Sequence, residues 1–334
     1  MKRRLIALTI VALGLAPGTW VRTEQVSHKT PFTFAATPIQ TEHWSSRGFT
    51  LKRAWRLDSA HPDFGGFSAL LHFGDGQFLA GSDNGYLFRF RLGENGPADG
   101  VLNRIGPSSA RSKTVVDLES LMLDPQSGQF WAGFEGSNTI VRYAADDSEE
   151  ARANPAEMAH WSANSGSEVM ARLDDGRTIV IAEQQSGMAG GGHEALLFPG
   201  DPTLGQAPAQ FVFSSDASHR PTGMVITPDG RALMVLRRFD PFDGYSFSIV
   251  LAVADPANIR AESDWPVQEW MPLDASLPLD NFEGVALGDV QADGHTCRVW
   301  MVSDDNFSAF QDTLLVEFEW DHCGGPNDTQ TDPN

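Results

Sequence analysis

The sequence predicts an all-β fold and, within that class, a β-propeller. Three observations carry this. A hairpin made of an apolar strand, a Gly/Asp-rich turn and a second apolar strand recurs five times along the 334 residues. Its starts fall about 50 to 60 residues apart, the period of a four-stranded blade rather than of a solenoid coil. No long amphipathic helical pattern interrupts the series, while glycine and aromatic residues are plentiful.

Taken in order, residues 1–20 read as an export signal. Lys2, Arg3 and Arg4 form its positive start, and residues 5–15 form an apolar run too short to span a bilayer. Ala16-Pro17-Gly18 is the nearest small-residue cleavage pattern, and no cysteine follows to take a lipid anchor. Residues 21–60 form an N-terminal segment, in which 49–57 alternates in character and is placed to close the ring against the C-terminal strands. The propeller domain covers 61–323, and 324–334 is a polar tail expected to lack order. After signal removal no segment should insert stably in a membrane, so a periplasmic or secreted monomer is expected.

The five hairpins share one design. The first runs Ser68-Ala-Leu-Leu-His-Phe73, turns at Gly74-Asp75-Gly76 and returns through Gln77-Phe-Leu-Ala-Gly-Ser-Asp83. The others occupy 117–135, 166–183, 222–237 and 281–304, with turns such as Asp174-Asp-Gly176 and Pro228-Asp-Gly230 that suit hairpin closure. A β-sandwich would not require the same hairpin to recur so regularly. Five clear hairpins leave five or six blades open, because the interval from 223 to 283 is the longest and has room for further strands.

Composition narrows the function classes. With 41% hydrophobic residues the chain can bury a substantial core, and its formal net charge of -20 repels nucleic acid phosphates. The acid serves solubility, or some of it is clustered to hold a hard cation such as calcium. Cys297 and Cys323 flank the last hairpin; folding it in register brings them opposite each other, which allows a disulfide in an exported protein. Two unpaired thiols are the alternative, and two cysteines are too few for a zinc site.

Antiparallel partners bring the start of one strand and the end of the next to the same end of a hairpin. Folding each hairpin about its turn places Ser68 near Asp83, Glu119 near Glu135, Glu168 near Glu183, Gly223 near Arg237 and Glu283 near Asp304. Like charges facing each other destabilise a sheet, so repeated acid pairs need divergence into water, or a cation or arginine between them. If the hairpins form a ring, Asp83, Glu119, Glu135, Glu168, Glu183, Glu283 and Asp304 converge on one rim, with Arg237 among them. A solvated edge is the plain reading of that rim; a metal or substrate site is the functional one. Arg237 and Arg238 could grip an anion, or could serve as structural ion pairs to neighbouring glutamates.

Asp280-Asn-Phe-Glu-Gly-Val-Ala286, Val302-Ser-Asp-Asp-Asn-Phe307 and Gln311-Asp-Thr-Leu-Leu-Val316 resemble the C-terminal signature of the phytase-like family, "esterase-like activity of phytase". Phe64-Gly-Gly-Phe-Ser68, Ser82-Asp-Asn-Gly85, Asp117-Leu-Glu-Ser-Leu121, Phe134-Glu135 and Leu236-Arg-Arg-Phe239 are similar to its earlier repeats. The resemblance implies a β-propeller, export, and hydrolysis of small-molecule ester or phosphoester substrates. Calcium-dependent alkaline phytases are a more distant propeller type, in which a rim of acids holds calcium that neutralises phosphate and activates water. Carried onto this chain, Glu119, Glu135, Glu168, Glu183, Glu283, Asp304 and Asp305 become candidate calcium ligands and Arg237 a phosphate contact. Asp83 joins the metal set by its place on the rim, while Glu168, Glu183 and Arg237 are the candidate catalytic groups. The basic cluster of a true phytase is thin here, with Lys113 and Arg220 as the further contributors, which argues against phytate itself.

Other chemistries fare worse. No Gly-x-Ser-x-Gly elbow and no His-Glu-x-x-His occurs, against a serine α/β-hydrolase and a zinc peptidase. His193 follows the glycine run at 190–192 and reads as part of a flexible surface loop. A lactonase-like propeller with one axial calcium would draw on Asn281 or Asn306 as ligands. A non-catalytic binding propeller is the alternative from another class, and it would be expected to show more aromatic and arginine anchors.

Overall fold

A computed structural model describes residues 31–105, 116–162, 166–185, 192–216, 218–240, 246–274 and 277–324. The signal segment, Lys113 and residues 325–334 lie outside them. The N-terminal segment supplies β1 (Ala35–Pro38), β2 (Ser45–Ser46) and β3 (Phe49–Asp58). Blade one holds β4 (Phe67–His72), β5 (Gln77–Ser82), β6 (Tyr86–Gly93) and β7 (Gly96–Arg104); blade two holds β8 (Leu118–Leu123), β9 (Phe130–Phe134), β10 (Thr139–Tyr143) and β11 (Glu149–Ala153). Blade three begins with β12 (Ser167–Arg172), β13 (Thr178–Gln185), β14 (His193–Phe198) and β15 (Ala209–Ser214). Blade four holds β16 (Arg220–Ile226), β17 (Ala232–Asp240), β18 (Ser246–Ala254) and, after the short β19 (Asp264–Pro266), β20 (Glu269–Pro272). Blade five holds β21 (Phe282–Val290), β22 (Cys297–Ser303) and β23 (Leu314–Trp320).

Among the described residues the sheets number five, and so do the blades. The long interval between the fourth and fifth hairpins holds no sixth blade among them. It carries the two outer strands of blade four, and β19, which runs back to pair in parallel with β15 of blade three. The expected closing strand is real: β3 pairs antiparallel with β23, Leu314 facing Arg56 and Trp320 facing Phe49. Strands from both ends of the chain thus share one sheet, which removes two free edges. Cys297 and Cys323 form the disulfide, with Cα atoms 5.7 Å apart, and so tie the chain's end to β22.

Both faces of every blade are buried, which explains the near-continuous apolar runs in the middle strands. In β17, Leu233 and Val235 pack toward blade five, while Ala232, Met234 and Leu236 pack toward blade three. Five such clusters fill the five seams between neighbouring blades. Each innermost strand (β4, β8, β12, β16 and β21) touches the innermost strands of both neighbours, closing a ring around an axis.

Candidate functional site

In all five innermost strands the pairing with the second strand slips by one residue near its start. A bulge leaves its extra residue unpaired and re-aims the side chain. The bulged residues are Ser68, Glu119, Glu168, Thr222 and Glu283, and all five line one small axial cavity. Two residues further along, Leu70, Leu121, Met170, Met224 and Val285 form an apolar collar. Beyond the collar a funnel of about 630 Å³ opens at the other end of the axis. Period-two alternation along five inward-facing strands thus stacks an acidic layer on an apolar one.

A second tier sits at the end of each second strand. The backbone N–H groups of Asp83, Glu135, Glu183 and Asp304 donate to the carbonyls of Gly66, Asp117, Gly166 and Asn281 at 2.8–3.1 Å. These four hairpins therefore bring their acids to one end as expected. The fourth corrects the expectation: Gly223 faces Val235, and Arg237 faces Arg220. The bulge there makes Thr222 the ring residue. Gly223 instead packs so tightly that a Cβ would overlap the Glu283 carbonyl oxygen.

The ring divides into two halves of different charge. On one side, carboxylate oxygens of Asp117, Glu119 and Glu135 lie within 4.8 Å of one another, as do those of Glu119, Glu168 and Glu283. Glu119 belongs to both groups. Asp117, which directly precedes β8, was not among the expected ligands. Glu135 is oriented by the Gly166 N–H at 3.0 Å. Ser68, 2% exposed, lines the same cavity with a hydroxyl that has no hydrogen-bond partner among the described residues.

On the other side the chain supplies its own cation. Arg237 Nη1 donates to Asn281 Oδ1 and lies 3.2 Å from Glu283, while Nη2 lies 3.7 Å from Glu183. Arg220, the more exposed guanidinium, reaches Glu183 at 3.0 Å. Asn281 is fully buried and donates to Glu283 at 2.8 Å and Asp304 at 3.3 Å. Its amide is committed to cross-linking the ring. Asp305 uses both oxygens to fix its loop, accepting from Phe307 N and Thr313 Oγ1 and, across the seam, from Gly66 N at 2.9–3.0 Å. Asn306 turns its amide toward Gln311.

His193 also departs from expectation. It opens β14, is fully buried, and sets Nδ1 2.9 Å from the Glu183 carbonyl, so it is a packed support behind the ring rather than part of a surface loop. Burial pushes its pKa down.

Burial, then the other carboxylates, drives the electrostatics. Burial raises Glu119 well above the usual carboxylate range, and Glu168 and Glu283 add to it. Glu168 is raised by burial and by Glu183 and Glu283, with Arg237 opposing. Asp304 is raised well above its usual range by burial and Glu283, and Glu283 more moderately by burial, which Arg237 offsets.

A carboxyl with a higher pKa when folded binds its proton more tightly in the folded state. Its stabilising contribution is full below the unfolded pKa of about 4 and drains away as pH rises through the folded value. The protein without a bound cation should therefore lose stability as the pH rises through the window above about pH 4, by up to about 1.4 kcal/mol per pH unit for each group that the folded state keeps protonated. Thermal melts in chelator across that range check this. A chelated protein whose melting temperature rises across that window would contradict the buried-acid picture.

A family model described as "Phytase-like: Esterase-like activity of phytase" matches residues 62–307. No curated protein matches. Among solved structures, the Myceliophteria thermophila Cps50 (Swd1) β-propeller domain is 11% identical, with 81% of this chain and 70% of that chain covered and a TM-score of 0.37. The structure of U3-55K is 8% identical, with 73% and 79% covered and a TM-score of 0.39.

Proposed function

We propose, from the premise that this chain belongs to the phytase-like family of esterase-like activity, that it is an exported hydrolase of small ester or phosphoester molecules, assisted by calcium at its acidic rim. The observation that carries this is the convergence of Glu119, Glu168 and Glu283 at three bulges around one cavity, beside the unpartnered Ser68 hydroxyl. Three carboxylates and a hydroxyl so placed offer a hard cation oxygen ligands, and the cation would relieve the repulsion among the acids. Glu119, Glu283 and Ser68 fit as its holders, with Asp117 and Glu135 beside Glu119. Bound there, calcium would polarise a substrate oxygen and acidify water.

The chain's own groups do the rest. Arg237 and Asn281 orient Glu283, and Asn281 also donates to Asp304. Glu168, between the acidic half and Arg237, takes the proton as a water oxygen attacks the ester, and returns it to the departing alkoxide. Arg220 faces the mouth and meets the anionic oxygen of the substrate. The apolar collar below the ring limits water entry from the funnel. The disulfide fits an oxidising compartment outside the cytoplasm, and no helix among the described residues is long and apolar enough to cross a membrane. The enzyme acts as a monomer and has no nucleic acid partner.

Calorimetric calcium titration of stripped mature protein, beside hydrolysis of 4-nitrophenyl phosphate and acetate, tests the reading. Calcium binding with calcium-dependent turnover is expected, and Glu168→Gln should fold normally yet lose turnover by about 100-fold or more. Absence of both binding and turnover would favour a non-catalytic binding propeller.

A further inference from the structure

The exposed aromatic rings among the described residues are Phe239, Phe307 and Phe310, at 46%, 44% and 99% exposure. Each follows a second-tier ring residue in sequence: Phe239 comes two positions after Arg237, and Phe307 and Phe310 come three and six after Asp304. Phe239 packs on Phe247 with ring centroids 5.2 Å apart, whereas Phe307 and Phe310 share the loop after Asp304. Exposed rings beside a charged cavity suit a ligand with both a polar and an apolar part.

Phe307 is tied to the acidic ring itself. Gly66 has φ +62, and a Cβ added there would overlap both the Asp83 carboxylate and the Phe307 ring. Carboxylate and ring therefore meet at one point on the mouth. The loop that presents Phe307 is held firmly. Asp305 accepts from Gly66, Phe307 and Thr313; Asp304 accepts from Asn306 N at 2.6 Å; and Asp280 accepts from Asp312 N at 2.9 Å. Asn306 and Phe307 both take a positive φ of 49°, a conformation that non-glycine residues hold only when their surroundings impose it.

We infer that Phe307 and Phe310 are specificity-determining residues, and that the substrate carries an aryl group next to the ester or phosphoester held by the ring. The inference rests on the hydrolase reading for the word substrate, but not for the binding of the ligand. The aryl face stacks on Phe307 while the anionic head enters beside Arg220. A uniformly polar polyphosphate leaves both rings in water.

The test uses full-length mature protein with calcium, and 2-naphthyl phosphonate as a non-hydrolysable probe with methyl phosphonate as its control. Wild type, Phe307→Ala, Phe307→Leu and the double variant Phe307→Ala/Phe310→Ala are titrated by calorimetry. KM and kcat are measured for naphthyl and methyl phosphoesters, and mass is followed by sedimentation. The wild type should prefer the naphthyl probe, and the double variant should reduce that preference by about 10-fold, with Phe307→Leu intermediate and calcium affinity retained. The loss should fall on KM more than on kcat.

No naphthyl preference in the wild type, or an equal loss for both probes, would overturn the inference even if small esters are hydrolysed. Dissociation of a wild-type oligomer by the double variant would overturn it too, by showing that a second copy covers the rings. Selective probe binding without any turnover would keep the inference and remove the hydrolase reading.

Discussion

In calcium-free buffer Glu119→Gln should melt at a higher temperature than the wild type, and added calcium should no longer raise it. Glu119 is the one carboxylate common to both close groups of acids, and burial and its neighbours both oppose its charge. Glutamine keeps the shape and removes the charge, which should stabilise the empty ring by about 1–3 kcal/mol. The same change takes a charged ligand from the cation, so calcium affinity should fall by about 100-fold or more. Melting curves and calorimetry on one preparation measure both effects. A variant that is less stable than the wild type and still binds calcium normally would show that Glu119 is an ordinary structural residue.

Arg237→Met should have the opposite sign and the largest stability effect. The guanidinium is mostly buried and touches Asn281, Glu283 and Glu183, so its removal strands buried acids without a counter-charge. Breaking a buried pair from one side costs about 3–5 kcal/mol. Arg237 is also what holds Glu168 and Glu283 below the values that burial alone would set. Without it they keep their protons to higher pH, so the loss should be greater at about pH 8 than at about pH 5. Urea unfolding at the two pH values separates charge from packing: an equal loss at both would assign the effect to the missing contacts of the side chain.

The two variants treat the ring as a charge balance in which the chain supplies one half. That division bears on the sequence-based view of Arg237 as an anion contact. Facing acids in register with arginine are visible in the sequence, but which acid an arginine meets is not. Asn281, Glu283 and Glu183 come from two other blades, at separations of 44, 46 and 54 residues. Asp305 shows the same limit: it directly follows a ring residue, yet its oxygens belong to a loop that closes onto Gly66 from across the ring seam.

What the sequence by itself determined is the local part. Alternation, turn residues and their spacing are properties of neighbouring positions, so the five hairpins, the acids at their open ends, the strand at 49–57 and the cysteine pair were all legible. Only the tertiary structure decided the rest. A bulge leaves no mark in composition, so the slip that makes Thr222 and not Gly223 the ring residue appears only when β16 is paired with β17. The count of five required ring closure, because β19 looks like blade material yet pairs with the preceding sheet. His193 was hidden for the same reason: a histidine after glycines looks exposed until β15 covers it. Burial and charge at the axis are made by five strands meeting, and no single segment encodes that meeting.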